Sequence, residues 1–283
     1  MLRILVLLAV LFQGAPFHAG PIANMDPANM DPANLDPAAA SQAEDEGPSE
    51  EDIAKAVANL KAAIKGREEE AIVNACAAGA LVPHDDVVQQ LVKVLELRRK
   101  DEEAKPLRQA ALEALGEIGL PSSLKALHKA FRKSKDLRKD PELSVLLLRS
   151  IANHEDPSSI EVFGEGLDST PSKEALRARI LGLARIRTKE SIDALVNLMN
   201  RSTKNRRVLQ MEDFRLAFAV LTGIDRGKDA TAWMRWWNDA KKTFEVSPEM
   251  GELPKALMQR WRSFWGWGEE EKRGKRREDR GDR

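Results

Sequence analysis

A helix start that recurs every thirty-odd residues constrains this chain more than any other feature. Apolar residues keep helical spacing in segment after segment: Ile53, Val57, Leu60 and Ile64; Val87, Leu91, Val94 and Leu95; Leu112, Leu115 and Ile118; Leu124, Leu127 and Phe131; Leu143, Leu146, Leu147 and Ile151; Leu176, Ile180 and Leu183; Ile192, Leu195, Val196 and Met199. New apolar starts fall at Val87, Leu124, Ile160 and Ile192, which are 37, 36 and 32 residues apart. No segment alternates convincingly, so strands are not expected. A period of this length built from two helices implies an all-α solenoid, because each pair can bury its apolar face only against the next. About five pairs fit residues 50–245.

The breaks carry their own chemistry. Asp140-Pro141, Asp156-Pro157 and Thr170-Pro171 each place a capping side chain before a proline suited to the first helical turn. Pro106 opens a helix expected to run to about Ile118. Gly119 and Gly223 sit where helices should stop. His84 and His154, each followed by acids, are expected to cap helix starts rather than to bind metal.

The run Arg108-Gln109-Ala110-Ala111-Leu112-Glu113-Ala114-Leu115-Gly116-Glu117-Ile118-Gly119, followed by Leu124 and Leu127, resembles a HEAT repeat of the short PBS-lyase HEAT-like type. The segment from Leu176 to Leu195 is similar, with Ala184 and Arg187 where the family favours glycine. The junction Leu221-Thr222-Gly223 followed by Trp233-Met234-Arg235-Trp236-Trp237 resembles the closing unit of some bacterial exported HEAT-repeat proteins. The resemblance implies a fold of packed helix pairs and says little about chemistry, since its motif consists mostly of packing residues. Chromophore lyases and DNA glycosylases also occur in the HEAT-like class. An enzyme or a nucleic-acid-binding module is therefore the alternative, with Trp233 and Asp229 imitating a glycosylase cleft.

The ends read differently. Residues 1–20 hold Arg3, an apolar run from Ile4 to Phe12, then small residues, which is the order of a secretory signal peptide. The run is too short to span a bilayer. Residues 21–49 contain three pentapeptides, Ala23–Pro27, Ala28–Pro32 and Ala33–Pro37. A proline every fifth residue blocks a helix, and Met25, Met30 and Leu35 are too few for a core. A disordered spacer is expected there, closed by Ser49 and the acids after it as a helix start. Residues 246–283 are read as an amphipathic helix and a charged disordered tail. In 253–267, Leu253, Leu257, Trp261, Phe264 and Trp265 share one face. That face could pack on the array, bind a partner or touch a membrane surface.

Composition narrows the function. Lys+Arg and Asp+Glu balance at 45 each, so the whole chain is not a general polyanion binder, and no nucleic-acid partner is expected. The single cysteine, Cys76, rules out an intramolecular disulfide and reads as a small core residue. No phosphate loop, catalytic triad or metal spacing is present in the sequence, so neither enzymatic activity nor a cofactor is expected. The reading is an exported, non-enzymatic scaffold or adaptor of the cell envelope or the exterior, with a protein partner.

Two clusters are candidate sites. Trp233, Trp236 and Trp237 have i, i+3, i+4 spacing and can cap the last repeat; an aromatic ligand pocket is the alternative. From Arg177 to Arg207, nine cations (Arg177, Arg179, Arg185, Arg187, Lys189, Arg201, Lys204, Arg206 and Arg207) face only Glu190 and Asp193. A docking surface for an acidic partner would centre on Arg177, Arg179, Arg185, Arg187, Arg206 and Arg207; a solvated helix face is the other reading.

Overall fold

The structure, a computed structural model, describes residues 47–97, 104–165, 170–204 and 210–267. The expected signal peptide, the three pentapeptides, the charged tail beyond Trp267, and Arg206 and Arg207 lie outside the described residues.

Every regular element among the described residues is helical. The order is α1 (Glu50–Gly66), α2 (Glu69–Ala80), α3 (Asp85–Glu96), α4 (Lys105–Glu117), α5 (Pro121–Lys133), α6 (Lys135–Lys139), α7 (Pro141–Asn153), α8 (Ile160–Gly164), α9 (Lys173–Arg185), α10 (Lys189–Lys204), α11 (Met211–Thr222), α12 (Ala230–Ala240) and α13 (Lys255–Trp265). Pairs form as α1/α2, α3/α4, α5/α7, α8/α9 and α10/α11, with α12 packed on α10 as a closing helix. The second helices, α2, α4, α7, α9 and α11, lie side by side in one row. The first helices make the other row, where α5 meets the α8 segment through His128 Nε2 and Ser159 Oγ at 2.9 Å. All four apolar starts used to find the period fall in this other row, at α3, α5, α8 and α10. The helix bearing Leu176 is the second member of its pair.

The period reappears as physical contact. Ser122 donates to Asp85 across 37 residues, Ser150 to the Leu112 carbonyl across 38, Arg201 to the Gly164 carbonyl across 37 and Gln210 to the Lys173 carbonyl across 37. The α2–α11 row is closely packed because small residues line it: Ala111, Ala114, Ala178, Ala184, Ala217 and Ala219 are all buried. At Gly116 a Cβ would lie 2.8 Å from the Ser150 backbone, so α4 and α7 meet where no side chain fits.

Most helix ends follow the capping chemistry read from sequence. Ser49, His84, Asp140, Asp156 and Asp229 each accept from a backbone amide in the following turn. Gly119 and Gly223 take positive φ of 69°, where a side chain would be strained. Three details differ. Thr170-Pro171 does not open α9; Ser172 caps it through the Ala175 amide. His154 ends α7 rather than starting a helix, and its Nε2 lies 3.2 Å from the Leu115 carbonyl. The start at Ile160 yields only five residues of helix, preceded by a single 3-10 turn.

Candidate functional site

The short α8 explains the first of the predicted docking arginines. A helix of five residues leaves its last carbonyls without partners. Arg179, buried on α9, donates from Nη1 to the Val162 and Phe163 carbonyls at 2.9 and 3.1 Å and lies over the Phe131 ring. Burial pushes its guanidinium down to about 10, which leaves it charged at neutral pH. Arg201 takes the Gly164 carbonyl at 2.8 Å. Arg179 is thus a structural clamp and presents no charge to a partner, which corrects its assignment to a docking surface.

The remaining described arginines of that set hold the C-terminal segment. Arg187 donates to the carbonyls of Ser247 at 2.7 Å, Val220 at 2.9 Å and Glu249 at 2.9 Å. Arg185 bonds Glu155 at 2.6 Å and Asn153 at 3.0 Å, and lies 4.8 Å from the Trp265 ring and 5.1 Å from that of Trp267. Arg177 sits 5.3 Å from the Phe264 ring and 3.2 Å from Asp213. Arg149 joins them over Phe264 and Trp265. Arg149, Arg177 and Arg185 therefore stand over aromatic rings, an attraction worth about 0.5–2 kcal/mol each.

The result is a seat for α13 across α7, α9 and α11. Leu257, Trp261 and Trp265 are buried in it, and Arg260 bonds the buried Asp213 at 2.7 Å. Burial pushes the Asp213 carboxyl up, and Arg177 and Arg260 pull it back. The apolar face expected along 253–267 is thus turned onto the array and is not free for a membrane surface. Among the described residues, no helix is long and apolar enough to cross a membrane. Each buried tryptophan contributes about 4–6 kcal/mol at most. Trp265 Nε1 is also buried without a hydrogen-bond partner among the described residues, a cost of about 1–3 kcal/mol.

The tryptophans on α12 are positioned as an end cover. Trp233 is fully buried, stacks 4.7 Å from Phe218 and donates to the Gly227 carbonyl at 2.9 Å. Trp237 is buried and donates to Asp193 at 2.6 Å. Trp236 is half-buried between Phe244 and the Arg226 guanidinium. Asp229 caps α12 through the Thr231 amide. Trp233 is therefore engaged in packing and Asp229 in the α12 cap.

Free positive charge lies elsewhere, on α5 and α6, and the sequence reading passed over it. Residues 121–140 hold Lys125, Lys129, Arg132, Lys133, Lys135, Arg138 and Lys139 against Asp136 and Asp140. Lys125, Lys129 and Lys133 have i, i+4, i+8 spacing, are exposed, and make no ion pair among the described residues. Like charges four apart on a helix repel and destabilise it by a few tenths of a kcal/mol per pair. The ridge divides two grooves. One, of about 530 Å³, is lined by Pro121, Leu124, Lys125, His128, Arg132 and Ser158 among others. The other, of about 140 Å³, has Val92, Leu95, Ala126, Ala130 and Leu137 beside Lys129 and Lys133. Asp156 lines the first groove and Glu96 the second, and among the described residues Arg132 pairs with Glu161 at 3.5 Å. Burial, reinforced by Arg132, holds the half-buried His128 below its ordinary range. The signal that could have found this face is the four-residue lysine spacing in KALHKAFRK.

A family model for the PBS lyase HEAT-like repeat matches residues 107–133. That span is the α4 and α5 hairpin, which carries both the close approach at Gly116 and the lysine ridge. No curated protein matches the chain. The matched repeat and the helix packing together support a HEAT-type helical repeat array.

Proposed function

We propose that this chain is a non-enzymatic protein–protein interaction scaffold, exported from the cytoplasm, whose docking face is the lysine ridge of α5 and α6. Its partner is an acidic protein segment with apolar side chains among its carboxylates. The observation that carries the reading is the unneutralised series Lys125, Lys129 and Lys133 between two grooves with apolar walls. Charge alone would suit any polyanion. The apolar wall formed by Val92, Leu95, Ala126 and Leu137 favours a peptide that can insert side chains while its acids meet the lysines. Export rests on the signal-peptide order of residues 1–20.

The test uses three probes on the full chain: a peptide of alternating glutamate and leucine, an oligo-glutamate of equal charge, and heparin. The mixed peptide should bind most tightly. Its affinity should fall steeply with salt, because exposed charges are screened beyond about 8 Å at physiological ionic strength. Lys125→Glu with Lys129→Glu and Lys133→Glu should abolish it. Equal binding of all three probes makes the face a general polyanion site. Unchanged affinity in the folded triple variant removes the face altogether.

A further inference from the structure

The α13 seat is built like a receptor for a helix, and its occupant is an imperfect one. It presents the ring-facing cations Arg149, Arg177 and Arg185, together with Asp213 and Glu212, which take Arg260. The occupant answers with Phe264 and Trp265 against these cations, Trp261 buried one helical turn before Trp265, and an arginine just before Trp261. Yet the Trp265 Nε1 donor is buried without a partner among the described residues. Trp267 stays 48 % exposed beyond the left-handed Gly266. Before the helix, Arg187 holds the Ser247 and Glu249 carbonyls and the partly buried Leu253 packs on the core. Residues 250–254, which include Gly251 and Pro254, form no helix. The α12 cover is fixed separately, by Trp233 on the Gly227 carbonyl and Trp237 on Asp193.

We propose that the face of α7, α9 and α11 is a second binding site, for an amphipathic helix of another protein, and that α13 is its built-in competitor. The incoming helix carries aromatic residues at i and i+4 and an arginine at i−1. Binding follows the helix-in-groove mode, with the rings as anchors and the arginine fixing register on Asp213. A ring without a donor at the Trp265 position, such as phenylalanine, removes the unsatisfied group and makes a better ligand than α13 itself. The site is independent of the lysine ridge, which lies on the first helix of its pair.

A fluorescently labelled peptide with the sequence of residues 253–267 is the probe, titrated against the full chain. Wild type should bind it weakly, since α13 competes. Trp265→Ala weakens the internal occupant and should raise peptide affinity at least tenfold. Arg260→Ala does the same by a milder route, and serves if Trp265→Ala lowers helical circular dichroism. Adding Arg185→Ala to either should cancel the gain, because it damages the seat. A peptide carrying phenylalanine at the Trp265 position should bind more tightly than the native sequence. The proposal is overturned if neither folded variant binds peptide better than wild type. It is also overturned if light scattering finds wild type dimerising with exchanged C-terminal helices, since the occupant is then a second copy.

Discussion

Arg185 lies 4.8 Å from the ring of Trp265 while its guanidinium also bonds Glu155. A residue whose charge suggests an external partner instead joins α9 to α13. Like Arg185, Arg177 and Arg187 contact the C-terminal segment, whereas Arg179, two residues from Arg177, is engaged inside the repeat.

That division predicts different effects for two arginines of α9. Arg179→Ala leaves the Val162 and Phe163 carbonyls buried without donors, at about 1–3 kcal/mol for each group. It should lower the melting temperature of the whole array. Arg185→Ala should leave that midpoint nearly unchanged and speed amide exchange in α13 alone. Equal effects on global melting would contradict the assignment.

The two glycine contacts give a packing test. A Cβ at Gly182 would lie 2.5 Å from the Phe163 ring, and one at Gly116 would lie 2.8 Å from the Ser150 backbone. Each alanine substitution overpacks a helix contact, which costs about 1–3 kcal/mol. Gly164, with nothing within 4 Å of its added Cβ, is the control. Urea denaturation should separate the first two variants from the third.

Trp233→Ala should cost about 3–5 kcal/mol, because a fully buried ring stacked on Phe218 leaves a large cavity. If the last repeat unfolds on its own, tryptophan fluorescence will show an early transition before the main one. Wild-type stability in this variant would rule out a covering role for the ring.

Acid should weaken the middle of the array. Burial is the first cause holding both His128 and His154 below the ordinary histidine range. Their folded values are depressed, so the unfolded chain takes up protons first as pH falls. The stability they contribute is fully present above about pH 6.5, the unfolded value, and is lost as pH drops through the folded values. The double variant His128→Gln, His154→Gln should flatten the pH dependence of unfolding between pH 7 and 5. An unaltered slope would mean that the two rings protonate freely in the folded state.

The helical period was legible because it rests on packing residues that recur whatever the partner. Val87, Leu124, Ile160 and Ile192 mark successive helices of one row. Asp140 and Asp156 read correctly as caps because their signal is local. The site read less well for a physical reason. A count of charges along the chain cannot tell an arginine that faces water from one that bonds carbonyls 16 or 62 residues away, as Arg179 and Arg187 do. Arg187 stands where the repeat family favours glycine, and that departure was the local sign of an added role. The lysine ridge was visible in the spacing of Lys125, Lys129 and Lys133. It was passed over because apolar spacing in the same helix already accounted for that segment.

The proposed acidic partner would meet its lysines on α5. The most direct measurement is lysine acetylation footprinting by mass spectrometry, on the full chain, with and without the glutamate–leucine peptide bound. Protection should concentrate at Lys125, Lys129 and Lys133, while Lys173, Lys189 and Lys241 stay as reactive as in the free protein. Protection at those three control lysines, with the ridge unprotected, would place the peptide away from α5.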